Sequence, residues 1–120
     1  RIAEAIAHRE RAHCLVTGDS VGQVASQTLM NLKAVEEVTL MPVLRPLSGD
    51  NKDEIIEEAK RIGTFEISIE PYEDACTVFL PKHPTTRAKL ENVHECEERM
   101  DLDKLIEKTL DATEMKVIER

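Results

Sequence analysis

Three stretches of the chain gather residues able to do chemistry. The first runs Leu15-Val-Thr-Gly-Asp-Ser-Val-Gly-Gln-Val-Ala-Ser-Gln27. Gly18 and Gly22 let a backbone come close to a bound group. Asp19, Ser20, Gln23 and Gln27 supply short polar groups around them. A helix is expected to begin in the glycine turn, so its free N–H groups would face an anion. That set suits part of a nucleotide or an acyl-phosphate-like group. Spacing alone leaves a plainer account open, in which the glycines shape the turn and Asp19 or Ser20 caps the helix. Gln23 and Gln27, four apart, would then share a helical face and could pair with each other. The stretch is not a Walker A loop, because GK[ST] is missing, and it is not a full GxGxxG.

The second candidate is Cys76, in a proline-bearing stretch over residues 70–84. A loop of that length in a compact domain is often functional. Glu70, Glu73 and Asp74 disfavour a thiolate there, while Lys82, His83 and Arg87 could offset them. An accessible thiol could act as a sulfur nucleophile or persulfide carrier. The alternative is a small apolar residue tucked under the loop. Cys14, on an apolar run, is expected in the core, and Cys96 half-buried on a helix. The third stretch, Pro81-Lys-His-Pro-Thr-Thr-Arg87, could hold an anion with two cations and a helix start, or could be a capped helix with solvated charges. His8, His13 and His94 have no evident partner. His94 and Cys96 point to different faces of a helix and no CxxC pair exists, so no metal ligand set is expected.

The elements that must position these residues alternate. Residues 13–17 read as a buried strand bounded by Gly18. Val21, Val24, Ala25, Thr28, Leu29, Leu32 and Val35 form one apolar helical stripe. Residues 43–47 read as the next strand, with Pro46 near its end. Asp50 or Asn51 would cap a helix burying Ile55, Ile56, Ala59 and Ile62, closed by Gly63. Strand, helix, strand, helix predicts a parallel sheet with helices packed on it. Ile2, Ala5 and Ile6 extend the pattern upstream as a helix, and with no N-cap before them the expectation is that a further portion precedes Arg1. Downstream, residues 64–70 read as a short extended segment. Thr85 or Thr86 would cap a thin-faced helix to about Met100, with Leu90, Val93, Cys96 and Met100 inward. Asp101 or Asp103 would start another through Leu110. Residues 115–118 would add a strand.

With 120 residues the chain is one small domain at most. Its 41% apolar content allows a core, necessarily aliphatic given two Phe, one Tyr and no Trp. No apolar run is long enough to cross a membrane and no signal-peptide pattern opens the chain. A net charge of −8 with scattered Lys and Arg disfavours strong nucleic-acid binding by this chain itself. Three widely spaced cysteines argue against a disulfide scaffold and fit a reducing cytoplasm.

The residues Leu15 to Leu32 closely resemble the segment after the fourth strand of the tRNA 4-thiouridine synthetases, also called tRNA sulfurtransferases or thiamine-biosynthesis sulfurtransferases. Val43-Leu-Arg-Pro-Leu47, Lys52-Asp-Glu-Ile-Ile56 and Ala59-Lys-Arg-Ile-Gly-Thr64 resemble that family's next strand and helix. Pro71-Tyr-Glu-Asp-Ala-Cys76 and Pro81-Lys-His-Pro-Thr85 resemble its cysteine loop. The resemblance implies that residues 1–120 form the C-terminal part of a PP-loop ATP-pyrophosphatase domain. The expected fold is α/β, a Rossmann-like parallel sheet flanked by helices, as an incomplete fragment. It implies ATP with Mg2+, adenylation of a tRNA uridine, and replacement of the oxygen by persulfide sulfur to give 4-thiouridine, with thiamine thiazole as a further sulfur acceptor. Gly18 and Gln27 match nucleotide-contacting positions, with Asp19, Ser20 and Gln23 around them, and Cys76 matches the family's catalytic loop cysteine. The implied partners are tRNA through a region outside this chain, a cysteine desulfurase as sulfur donor, and a second copy in a homodimer that covers the sheet edge. The family's SGGxDS phosphate loop does not occur in the 120 residues, so the chain alone is expected to be inactive. Two other readings are a non-catalytic nucleotide-binding or dimerisation module of PP-loop architecture, and a PP-loop member acting on another substrate.

Overall fold

Two short parallel strands lie at the centre of the chain in the computed structural model, which describes residues 1–24, 26–72 and 85–119. The strands are β1 (Leu15–Val16) and β2 (Val43–Leu44). Their register sets Leu15 opposite Val43 and Val16 opposite Leu44. Leu15 N–H donates to Pro42 O and Thr17 N–H to Leu44 O, extending the ladder by a bond at each end. Alternation puts Leu15 and Val43 on one face, where both are half-buried, and Val16 and Leu44 on the other, where both are exposed. Parallel sheets normally have both faces covered. Here one layer of cover is provided and the second is not supplied by the described residues.

The helices are α1 (Ile2–Arg9), α2 (Leu29–Glu36), α3 (Lys52–Arg61), α4 (Phe65–Ser68), α5 (Leu90–Glu97) and α6 (Leu102–Asp111). The expected alternation around a parallel sheet is therefore present: α1, β1, α2, β2, α3. Asn51 caps α3 through a full capping box with Glu54, and Gly63, at φ 75°, ends it as expected. Asp101 accepts from Lys104 N–H and starts α6. α1 packs against both β1 and α6. Ala7 and Leu32 are the buried apolar side chains among the described residues, at 7% and 9% exposure.

Six expectations are corrected. α2 begins at Leu29 rather than in the glycine turn, because Thr28 takes the N-cap and its hydroxyl accepts from Asn31 N–H. Its stripe is buried at Leu32, whereas Leu29 and Val35 are exposed, as is Ile62 just past α3. Residues 65–68 form one helical turn and not an extended segment. α5 begins at Leu90, with no side-chain cap from Thr85 or Thr86, and Cys96 on it is exposed. Residues 115–118 form no strand, and Met115, Val117 and Ile118 are exposed. The expected core residue Cys14 is only half-buried.

Candidate functional site

The carboxyl ends of β1 and β2 open onto two loops, residues 17–28 and 45–51. Ligands in open α/β sheets bind outside this end of the strands. Ser20 holds the two loops together. It is 3% exposed, its hydroxyl donates to Asp50 O at 2.9 Å, and the next residue's N–H donates to Ser48 O. A buried hydroxyl needs such a partner, since an unpaired one would cost about 1–3 kcal/mol.

Asp19 is the electrostatic centre of the loop. Thr17 Oγ1 donates to its carboxylate at 2.7 Å and Arg45 Nε at 3.3 Å. Arg45 forks, because its Nη1 also lies 3.3 Å from Glu36 Oε1 at the end of α2. The Arg45 side chain is only 13% exposed, so this cation is largely removed from water and both carboxylates compensate it. A planar guanidinium suits that task better than an ammonium would. In consequence the glycine loop, the end of β2 and the end of α2 are locked to one another.

Gln27 folds back across the same loop. Its Oε1 accepts from Ser20 N–H at 3.3 Å, and its Nε2 lies 3.5 Å from Asp19 Oδ1. Gly22 N–H donates to Gln27 O, closing the turn from the other side. Gly22 sits at φ 83°, a conformation that glycine adopts without penalty. Gln23 is exposed and is not paired with Gln27 on a helix, since neither residue is helical. Gly18 differs from Gly22. Its φ is not left-handed, and a Cβ built on it would meet nothing within 4 Å. Neither the backbone nor the packing of the described residues requires a glycine there. Gly18 leaves the carboxyl end of β1 without a side chain.

The structure thus brings Gly18, Asp19, Ser20 and Gln27 together, while Gln23 faces outward. Cys76, Lys82 and His83 lie outside the described residues. The described residues that flank that stretch are Tyr72 and Thr85, both exposed. Sequence reasoning missed Arg45, Thr17 and Asn31. A single arginine between two prolines at the end of an apolar run was the available signal for Arg45. His94, read as unpartnered, lies 3.1 Å from Glu37. An apolar groove of about 450 Å³ separates α2 from α5, walled by Val35, Val38 and Val93 and rimmed by this pair. Among the described residues no group of three or more His, Cys, Asp or Glu could hold a metal ion. No helix among them is long and apolar enough to cross a membrane.

Residues 1–102 match the family model described as thiamine biosynthesis protein (ThiI). A probable tRNA sulfurtransferase of Acetivibrio thermocellus is 53% identical over 120 residues, all of this chain and 31% of that protein. The corresponding protein of Thermus thermophilus is 58% identical over 106 residues, 88% of this chain and 26% of that one. A 4-thiouridine synthetase solved in complex with RNA and with bound ATP superposes with a TM-score of 0.90 at 49% identity, over 99% of this chain and 31% of the other. The chain therefore spans about a third of the length of such relatives. Open apolar surface on the second face of the sheet agrees with that proportion. With the sheet, the glycine loop and the family model in agreement over most of its length, the chain belongs to the thiamine biosynthesis protein (ThiI) family.

Proposed function

We propose that the chain is the C-terminal part of the PP-loop ATP-pyrophosphatase domain of a tRNA sulfurtransferase that makes 4-thiouridine. The observation that carries this is Gly18. It lies at the carboxyl end of β1, unconstrained by its own fold, in a chain 49% identical to a 4-thiouridine synthetase solved with ATP. Gly18 lets the adenosine side of ATP approach, and Gln27, oriented by Ser20 N–H, presents its amide to it. Asp19 and Ser20 hold the loop's shape, and Gln23 borders it. The chain contains no SGGxDS stretch, so the phosphates and their Mg2+ are held by residues outside these 120.

In the proposed reaction the uridine O4 attacks the α-phosphate of ATP and pyrophosphate leaves. Persulfide sulfur then attacks C4 of the uridine, and AMP carries the oxygen away. The Cys76 thiol attacks the persulfide-bearing cysteine, forming a disulfide as the terminal sulfur passes to the nucleoside. A thiol reductant restores both cysteines. A cysteine desulfurase supplies the persulfide, tRNA docks on a region outside this chain, and the protein works as a homodimer in the cytoplasm. The thiamine thiazole is a second acceptor for the same sulfur.

The test uses the protein of full relative length. Cys76→Ser should abolish tRNA thiolation while leaving ATP-dependent pyrophosphate release on tRNA within about twofold. Gly18→Val should raise the KM for ATP tenfold or more at unchanged melting temperature. Undiminished thiolation in the Cys76→Ser protein removes the thiol from the mechanism. An unchanged ATP KM in the Gly18→Val protein removes the loop from the nucleotide site.

A further inference from the structure

Asn31 lies on the first turn of α2, four residues after Gln27. Three of the four hydrogen-bonding positions of its amide are used, and two of those bonds reach more than fifty residues along the chain. Its Nδ2 donates to Ser26 O at 2.9 Å and to Thr85 O at 2.7 Å. Its Oδ1 accepts from Ala88 N–H at 2.9 Å. Two carbonyls on one side and an N–H on the other fix which end of the amide is nitrogen, because the flipped amide would set oxygen against oxygen. Thr28 repeats the pattern beside it. Its hydroxyl donates to Thr86 O at 2.7 Å and accepts from Asn31 N–H at 3.2 Å.

Three attachments therefore bind residues 85, 86 and 88 to the start of α2. Residue 85 is where the chain returns after the stretch that carries Cys76, nine positions earlier. The start of α2 is also where the Gly18–Gln27 loop ends. One polar side chain and its neighbour thus form a common anchor for two segments far apart in sequence.

We propose that Asn31, seconded by Thr28, is a positioning residue that sets the exit of the Cys76 segment against the nucleotide-side loop, and so governs sulfur delivery rather than ATP binding. The proposal rests on the function given above. It assigns no contact between Asn31 and either substrate. Asparagine is needed because the anchor requires two donors and one acceptor in a single plane. Aspartate keeps the shape and the acceptor but turns a charged oxygen on two carbonyls.

The experiment takes the full-length protein with Asn31→Asp, Asn31→Ala, Thr28→Val and Thr28→Ser. Amide exchange at Ala88 reads the anchor directly, without activity. Protection of that amide should survive in Asn31→Asp and be lost in Asn31→Ala, a split that general loosening would not produce. For tRNA thiolation, Asn31→Asp and Asn31→Ala should lower kcat tenfold or more and leave the KM for ATP within about twofold. Thr28→Val should fall less, and Thr28→Ser should match wild type. Unchanged Ala88 exchange in Asn31→Ala overturns the anchor. Lost protection with undiminished thiolation, or a parallel rise in ATP KM, overturns the role in sulfur delivery. A wild-type protein that does not thiolate tRNA overturns the underlying function instead. An intact exchange pattern tells that result apart from failure of the anchor.

Discussion

Arg11 and Gly63 do the same job with unequal ease. Each follows a helix as the left-handed residue of a Schellman turn. Ala12 N–H donates to Ala7 O and Arg11 N–H to His8 O, while Thr64 N–H donates to Ala59 O and Gly63 N–H to Lys60 O. Gly63 adopts φ 75° freely, but Arg11 holds φ 57° with a Cβ in the way. The left-handed region costs a non-glycine residue roughly 1–2 kcal/mol. Arg11→Gly should therefore raise stability by up to about 1 kcal/mol, after the extra freedom glycine gains when unfolded. Gly63→Ala should lower it by a similar amount. Urea midpoints of the two variants check this, and a loss of stability in Arg11→Gly would show that its side chain contributes more than the strain. Gly63 was legible in the sequence because glycine announces a helix end. Arg11 was not, because nothing in its type distinguishes a strained arginine from a solvated one.

At the scale of elements, the helix α2 shows where periodicity misleads. The stripe from Val21 to Val35 has helical spacing throughout, yet residues 21–24 and 26–28 are turn and extended chain. Thr28 wins the N-cap, and Gly22 in a left-handed conformation cannot continue a helix backwards. The seven residues between Ser20 and Thr28 are thereby free to carry Gln27 back onto Ser20 N–H. Had the helix begun in the glycine turn, that contact would not form. The helix α1 is held differently, through exposed polar ties. Leu40 N–H, with the Thr39 hydroxyl beside it, holds the Glu4 carboxyl below the usual range. The Arg1 guanidinium does the same to Glu97 on α5, with bonds at 2.5 and 2.8 Å. Both folded-state values lie below the unfolded ones. Their stabilisation is thus complete above the ordinary glutamate range, about pH 4.3, and is lost as pH falls through the folded values. Wild type should lose stability between pH 5 and 3 more steeply than a Glu4→Gln, Glu97→Gln double variant. Melting temperatures across that interval check it. Equal slopes would mean that other carboxylates govern the acid limb.

At the scale of the whole molecule, the accessible surface is 10489 Å², against roughly 6,600 Å² for a compact monomer of 13.6 kDa. The radius of gyration, 16.5 Å, also exceeds the roughly 13.6 Å of a compact domain of this length. The α/β alternation was legible in the sequence because period and turn residues are local. The size of the uncovered face was not, because coverage depends on what lies across the sheet. Val16 and Leu44 stand 65% and 52% exposed, opposite one another on that face. Elsewhere on the surface, Val35 and Leu40 are 67% and 100% exposed. Water around such groups costs on the order of 25 cal/mol for each Å². The 120-residue chain alone should therefore self-associate as concentration rises, with Val16 and Leu44 at the contact. Sedimentation equilibrium should show mass increasing over the micromolar range, and Val16→Lys with Leu44→Lys should return the chain toward monomer. A wild-type chain that sediments as a monomer throughout would mean that the open face does not drive association. The same chain should bind ATP weakly even when associated, because pairing two copies covers apolar surface and adds no phosphate-binding loop.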